Sequence, residues 1–221
     1  MKKILTLLCL ILMGITSSTN AQNVEKQVKF VTNKGSFTIK LFNETPLHRD
    51  NVLMLVKEGA YNNLTFHRVI PNFMVQAGGG MRHNDSKGLE SLMERHSKKI
   101  PNEINYPKLF HKRGAVAAAR VSNEVNPNKE SDPIQFYVVV GQYYLESELT
   151  QMAKQSGVEM SEDIVKTYMT QGGSPHLDNE YTVFGEVIDG WKTIEKIQKV
   201  ETDSSDEPTK EIFIKSAEIL N

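Results

Sequence analysis

Cysteine is almost absent from this chain of 221 residues, which contains a single one, Cys9. Because Cys9 falls in an N-terminal segment that we expect to be removed, the remaining chain has no cysteine. This excludes structural disulfides, thiol nucleophiles and cysteine metal sites together. A protein without such cross-links must depend on its hydrophobic core for stability.

A strong net charge is also missing, since the formal value at pH 7 is only -1. There is no basic field of the kind that attracts nucleic acid, so we expect no nucleic-acid partner. The six histidines show neither HxxxH nor HExxH spacing, which excludes the common histidine metal motifs. The glycine run Gly78 to Gly80 lacks the Gly-Lys-Ser/Thr of a phosphate-binding loop. We therefore expect neither a metal nor a cofactor.

A long apolar run occurs only near the beginning of the chain. Lys2 and Lys3 precede an apolar stretch, Ile4 to Ile15, and Ala21 ends a plausible cleavage site. The stretch is too short to span a bilayer comfortably. We predict a signal peptide at 1–21, one domain at 22–221, and no stable membrane insertion after cleavage. The protein is then exported, to a periplasm or as a secreted protein.

Apolar and polar residues alternate with a period of two along much of the remaining chain, a pattern typical of half-buried β-strands. In KFVTNKGSFTIKLF, for example, Phe37, Ile39 and Leu41 point to one side after a turn. The further predicted strands are LTFHRVI, FMVQAG, GAVAAAR, IQFYVVV, YTVFGEVI and EIFIKSAEIL. Many short strands with few helices indicate a barrel or a sandwich rather than a parallel α/β sheet.

Three helical regions interrupt these strands. TPLHRDNVLMLVKEG predicts a helix with an N-cap at Thr45 and an end at Gly59, and WKTIEKIQKV predicts another. A longer helical region occupies about 142–172, where Gly157 indicates a break and Ser161 an N-cap. Its apolar stripes either pack on each other or on the strands, or stay partly exposed as a surface for client chains.

One arginine lies inside the apolar, hairpin-like segment FHRVIPNFMVQAGGG. A turn centred on Asn72 places Arg68 opposite Gln76, because residues symmetric about a turn face each other. If the loop contains a bulge, the pairing is shifted by one residue. If the two residues pair, the amide orients the guanidinium without neutralising it, with Phe73 and Met74 as apolar neighbours. A surface arginine with an ordinary cross-strand glutamine gives the same pattern.

Two later segments add a polar, aromatic and small-residue surface. In IQFYVVV, Gln135 and Tyr137 share one face of the strand, while Phe136 and Val138 share the other. GAVAAAR is dominated by glycine and alanine, which lets another backbone approach closely. A crowded barrel interior demands small residues equally well. Beside an arginine whose guanidinium is held in one orientation, such a surface suits an extended peptide that carries one apolar ring.

These segments resemble a known family. FHRVIPNFMVQAGG is closely similar to the signature hairpin of the cyclophilin-type peptidyl-prolyl cis-trans isomerases. GAVAAAR, QFYVV and HLDNEYTVFGEVIDG follow in the family's order, and the resemblance covers most of residues 27–219. It implies a mainly β fold, a closed eight-stranded antiparallel β-barrel capped by two α-helices, here with the helical insertion at about 142–172. It also implies a cofactor-independent isomerase whose partners are proline-containing polypeptide clients. We expect an exported bacterial member that is a monomer.

By the same resemblance, Arg68 is the catalytic arginine and Gln76 is its partner. The residues implied to bind substrate, in a proline pocket and an adjoining groove, are Phe73, Met74, Ala119, Arg120, Gln135, Tyr137, His176, Leu177 and Tyr181. Tyr137 stands where the best-studied members carry phenylalanine, His176 where many eukaryotic members carry tryptophan, and Tyr181 where they carry histidine. Without that tryptophan, the resemblance does not imply tight binding of cyclosporin.

Two functions are compatible with these residues. The first is an isomerase for X-Pro bonds in exported clients, in which Arg68 stabilises the twisted prolyl nitrogen. The alternative is a weakly or non-catalytic peptide-binding chaperone on the same scaffold, with the helical insertion as its client surface. The intact Arg68, Phe73 and Gln76 favour the isomerase.

Overall fold

Eight β-strands form the framework of the protein. The computed structural model describes residues 24–220, so the predicted signal peptide at 1–21 lies outside the described residues. The strands are β1 Gln27–Thr32, β2 Gly35–Leu41, β3 Arg68–Ile70, β4 Met74–Ala77, β5 Ala115–Ala118, β6 Phe136–Val139, β7 Val183–Asp189 and β8 Ile214–Leu220. Each segment with alternating hydrophobicity therefore contributes a strand, as predicted, although several strands are shorter than their segments.

All eight strands belong to one antiparallel sheet, in the order β3-β4-β6-β5-β7-β2-β1-β8. The closed barrel that we expected is overstated, because the edge strands β3 and β8 do not pair as strands within residues 24–220. The chain just before β3 meets the chain just before β8 through an isolated bridge between Thr65 and Phe213. The sheet is an open half-barrel.

The interior of the half-barrel holds the main hydrophobic core. Phe30 lies at its centre, with its ring centroid 5.2 Å from that of Phe37, 5.4 Å from that of Tyr61 and 5.4 Å from that of Phe136. All four side chains are almost completely buried. Full burial of one such side chain contributes roughly 1.5–3 kcal/mol to stability. The core therefore supplies the stability that disulfides do not.

Five α-helices pack around the sheet in the described part of the chain. They are α1 Pro46–Lys57, α2 Ser86–Arg95, α3 Glu146–Ser156, α4 Glu162–Thr170 and α5 Trp191–Gln198. Helices α1 and α5 match two of the three helical regions predicted from sequence, and they contact β8 and β2 respectively. Helix α2 was missed. Its N-cap Asp85 accepts the Gly88 N–H, and Leu89, Leu92 and Met93 have the spacing of one helix face, although only Leu92 is buried.

The helical insertion consists of α3 and α4. Gly157 ends α3 with a φ of 69°, and the Ser161 side chain caps α4 by accepting the N–H of Ile164, as predicted. Leu149, Ile164 and Tyr168 are buried together. The partly buried residues packed against them are Tyr106, Phe110, Tyr144, Met160 and Val165. Of the two arrangements that the sequence left open, the structure has the packed one.

Candidate active site

The hairpin formed by β3 and β4 places Arg68 directly opposite Gln76, so the predicted register is confirmed. Asn72 occupies the turn with a φ of 60°, a left-handed conformation that asparagine tolerates well. The Phe73 N–H donates to the carbonyl oxygen of Ile70 at 3.1 Å and closes the turn. Arg68 and Gln76 thus lie side by side on one face of the hairpin.

A cavity of about 160 Å³ opens beside this pair. Nine of the eleven residues implied by the resemblance line it, namely Arg68, Phe73, Met74, Gln76, Ala119, Arg120, Tyr137, Leu177 and Tyr181. The other two lie next to it: Gln135 accepts a hydrogen bond from Gln76, and the His176 ring centroid is 5.1 Å from that of Phe73. The structure therefore brings all eleven residues together, while their roles stay predictions.

A second cavity, of about 260 Å³, lies near Gly80, Leu89 and Glu211. It is larger than the cavity beside Arg68 but is lined by none of the eleven residues. Size alone therefore does not identify the site. The combination of a half-exposed guanidinium and an aromatic lining does, because it offers both a hydrogen-bond donor and an apolar surface.

The immediate neighbour of the Arg68 guanidinium is a carboxylate, which differs from our expectation. Arg68 Nε lies 3.5 Å from Asp206 Oδ2, and both side chains are nearly half exposed. Among the hydrogen bonds of the described residues, none joins Arg68 to Gln76, whose amide N–H donates to Gln135 instead. The loop that carries Asp206 is attached to β3, since its carbonyl oxygen accepts the Val69 N–H at 2.8 Å. Part of the arginine charge is therefore balanced from this loop.

The amide of Gln76 is held by a short relay of polar groups. Its Nε2 donates to Gln135 Oε1 at 3.0 Å, and Gln135 Nε2 donates to Asp132 Oδ2 at 3.4 Å. Asp132 is fixed in turn, because its other oxygen accepts the backbone N–H groups of Ile134 and Gln135. Gln76 is thereby oriented along the groove rather than toward Arg68.

Arg120 forms a rigid wall of the site. Its side chain is only 3% exposed, and it donates from Nε to the Glu180 carbonyl oxygen and from Nη2 to the Glu180 carboxylate. The guanidinium carbon lies 4.5 Å from the centre of the Tyr181 ring. Partial burial alone raises the pKa of Glu180, but hydrogen bonds from Lys129 and Asn123 outweigh it and lower that pKa. Glu180 therefore stays ionised and keeps Arg120 and Tyr181 in place.

Beneath the pocket, the hydroxyl of Tyr137 has buried polar partners. Its oxygen is 3.0 Å from His111 Nε2, and His111 Nδ1 is 2.9 Å from Asp178 Oδ1. The rings of Tyr137 and Tyr181 pack edge to face, with centroids 6.0 Å apart. Burial, and then the proximity of His111, lower the pKa of His176 at the rim. A neutral His176 presents an aromatic ring to Phe73 without adding charge to the pocket.

Sequence reasoning missed three residues of this region, which are His111, Asp178 and Asp206. His111 and Asp178 lie under the pocket rather than in it, and nothing in their local sequence shows that they meet Tyr137. Asp206 lies in TDSSDEPT, whose composition indicates a solvated loop. A polar tyrosine in place of phenylalanine was the one available signal, because a buried hydroxyl needs a partner.

Residues 24–220 contain neither a metal-binding cluster nor a helix suited to span a membrane. Within that range, no group of three or more histidine, cysteine or acidic side chains is arranged to hold a metal ion. Also within it, no helix combines the length and the apolar character that a membrane crossing needs.

Comparison with known proteins gives consistent results. The family model described as "Cyclophilin type peptidyl-prolyl cis-trans isomerase/CLD" matches residues 27–219. A Staphylococcus saprophyticus protein whose assigned name is peptidyl-prolyl cis-trans isomerase is 37% identical over 191 residues, which cover 86% of this chain and 89% of the relative. A Staphylococcus haemolyticus protein of the same assigned name is 33% identical over 199 residues, covering 90% and 93%.

Solved structures show the same fold. A crystal structure of a Cryptosporidium parvum cyclophilin-type peptidyl-prolyl cis-trans isomerase superposes with a TM-score of 0.62 at 24% identity, covering 89% of this chain and 98% of that one. A structure of that protein in the presence of the dipeptide Ala-Pro gives a TM-score of 0.60 at 25% identity, covering 88% and 99%. With the hairpin, the cavity and the family match in agreement, this chain belongs to the cyclophilin-type peptidyl-prolyl cis-trans isomerase family.

Proposed function

We propose that the protein accelerates rotation about X-Pro peptide bonds in exported polypeptide clients, with Arg68 stabilising the twisted prolyl nitrogen. The observation that carries this proposal is the position of Arg68, on the rim of an aromatic cavity that suits one proline ring. A related protein has been crystallised in the presence of a dipeptide that ends in proline, which supports the same class of substrate.

The mechanism follows from the electronic structure of the amide bond. Rotation costs roughly 18–20 kcal/mol because it breaks resonance. In the planar ground state the prolyl nitrogen is a poor acceptor, whereas in the twisted transition state it regains its lone pair. A fixed donor at that nitrogen therefore binds the transition state more tightly than either isomer, which is the requirement for catalysis. Such a mechanism involves no nucleophile and no proton transfer.

Arg68→Ala tests this role directly. We expect kcat/KM for a short proline peptide to fall at least about tenfold, which corresponds to about 1.4 kcal/mol of transition-state stabilisation. The melting temperature should stay unchanged, because the Arg68 side chain is nearly half exposed. The measurement is an isomerisation assay by exchange NMR. Arg95→Ala, which removes an exposed arginine from the end of α2, is the matched control. Wild-type activity in Arg68→Ala would reject the mechanism.

The location of the clients follows from the N-terminal segment. We propose that residues 1–21 direct export and are removed, so that the mature protein acts in the periplasm or is secreted. N-terminal sequencing of the protein recovered outside the cytoplasm should then begin at Gln22. An unprocessed protein that remains in the cytoplasm would contradict this proposal.

The alternative of a non-catalytic chaperone is not favoured. It depended on an exposed apolar face in the helical insertion, and the central residues of that face are at most 4% exposed. They are Leu149, Ile164 and Tyr168. These three side chains are therefore not available to an unfolded chain, and the exposed apolar residues of the segment are Tyr143, Leu145 and Met169.

A further inference from the structure

The helical insertion is connected to the pocket floor by an unbroken chain of buried hydrogen bonds. The hydroxyl of Tyr168, in α4, donates to Asp178 Oδ2 at 2.6 Å, and Asp178 Oδ1 lies 2.9 Å from His111 Nδ1. His111 Nε2 then meets the hydroxyl of Tyr137, which lines the cavity. All four residues are at most 5% exposed. The chain begins in the insertion and ends at the substrate pocket.

The Asp178 carboxylate accepts hydrogen bonds from both sides of this chain. Because a carboxylate only accepts, His111 Nδ1 carries a proton and donates to Asp178 Oδ1, and the Tyr137 hydroxyl lies 3.0 Å from His111 Nε2. The same carboxylate oxygen also accepts the backbone N–H of His111 at 2.8 Å. Asp178 therefore fixes both the tautomer and the ring plane of His111.

The base of the insertion is tied to the pocket by a second route. Gln142 and Gly173, at its two ends, exchange backbone hydrogen bonds of 3.1 and 2.9 Å. The adjacent Gly141 N–H donates to the carbonyl oxygen of Phe73, which lines the cavity. A Cβ atom on Gly173 would lie 2.4 Å from the Tyr168 ring, so the close contact requires glycine. Both routes place the insertion against the same pocket.

We infer that the insertion is a brace for the proline pocket, and that Tyr168, Asp178 and His111 are positioning residues that act through Tyr137. This inference rests on the proposed function of that pocket. A proline ring contacts Tyr137 in the ground state and in the transition state alike. Misplacement of the tyrosine ring therefore weakens binding of both states, which raises KM and leaves kcat unchanged.

Removal of a single hydroxyl separates positioning from general stability. Tyr168→Phe breaks the bond to Asp178. Tyr106→Phe is the matched control, because the hydroxyl of Tyr106 belongs to the same cluster but donates to the Glu159 carbonyl between α3 and α4. We expect Tyr168→Phe to raise the Kd of an Ala-Pro peptide about threefold, and Tyr106→Phe to change it by less than roughly 1.5-fold. NMR titration measures Kd, and exchange spectra give kcat on the same samples.

Two further variants strengthen this test. Asp178→Ala removes the acceptor of both His111 Nδ1 and the Tyr168 hydroxyl, so we expect Kd to rise at least about fivefold with kcat kept. In a Tyr137→Phe background the chain is already cut, so adding Tyr168→Phe should produce no further rise in Kd. Asp178→Ala removes a buried carboxylate and so carries the greater risk of misfolding. The Tyr168→Phe and Tyr106→Phe pair remains decisive in that case.

The outcomes distinguish this inference from the proposed function. Equal Kd values for Tyr168→Phe, Tyr106→Phe and the wild type would overturn the brace, as would additive effects in the Tyr137→Phe background. A Tyr168→Phe defect confined to the yield of folded protein would also overturn it. If the wild type failed to accelerate isomerisation while the Kd ordering held, the proposed function would fail and the brace would stand.

Discussion

Adjacent residues of one strand serve two surfaces of the sheet, and the two surfaces are stabilised differently. In β6, Phe136 and Val138 point into the half-barrel, whereas Tyr137 and Val139 belong to the cluster beneath the pocket. The interior is held by stacked and edge-to-face rings, and the outer cluster adds directional hydrogen bonds at the tyrosine. Ring packing tolerates small adjustments, but hydrogen bonds fix an orientation. Alternate residues of β6 thus contribute to the stability of the interior on one face and to the pocket on the other.

The largest effect should come from breaking the interior surface. Phe136→Ala removes a buried ring that contacts Phe30 and Tyr61, and we expect the free energy of unfolding to fall by about 3–5 kcal/mol. Denaturant unfolding measures this. Val125→Ala, at a side chain that is 74% exposed, is the control and should change stability by less than about 0.5 kcal/mol. If Phe136→Ala lowered the free energy of unfolding only slightly, the surrounding side chains must have moved into the space left by the ring.

A smaller effect should appear as the pH is lowered. Burial is the main cause that lowers the pKa of both His48 and His67 from the ordinary 6.5, and His67 Nδ1 accepts the Gly79 N–H at 3.0 Å. Because the folded-state pKa values are depressed, these groups cost no stability above the unfolded value. The unfolded chain protonates first as the pH falls below 6.5, so the free energy of unfolding decreases there.

Unfolding curves at roughly pH 7.5 and 5.5 test this expectation. His67→Gln should flatten part of the dependence, because its side chain does not titrate. An unchanged slope in that variant would show that His67 is accessible to protons in the folded state. His67 belongs to the hairpin segment just before Arg68 rather than to the interior, so this variant measures the pH dependence that comes from the side of the site.

The smallest effect should come from Asp206→Asn on the outer side of the site. Exposed ion pairs contribute only about 0.2–1 kcal/mol, so we expect kcat/KM to fall less than roughly fivefold. High salt should abolish the difference, because it screens exposed charges. Steady-state assays at two ionic strengths measure both effects. A tenfold change would place Asp206 among the residues on which the transition state depends.

Most of the framework was predictable from local sequence. The eight strands follow from alternation, and the pairing of Arg68 with Gln76 follows from symmetry about Asn72. The open edge was not predictable in this way. Whether β3 and β8 pair depends on how far the sheet curls, which is a property of the whole sheet rather than of either strand.

The residues that support the site were harder to predict than the residues that line it. Asp178 is far from Tyr137 in sequence, and the two are joined only through His111. Asp206 reaches Arg68 from a loop whose composition indicates simple solvation. Such contacts depend on tertiary structure, so periodicity and turn chemistry carry no information about them.

The pairing of β1 with β8 has a consequence for the order of events during synthesis. It joins Gln27 to Leu220, which stand near opposite ends of the described chain. During synthesis β1 emerges long before β8, so this edge of β1 stays unpaired until β8 is also available. Non-local pairing of this kind forms late, because the entropy of closing the loop opposes it. The sheet is therefore completed only when β8 becomes available to β1.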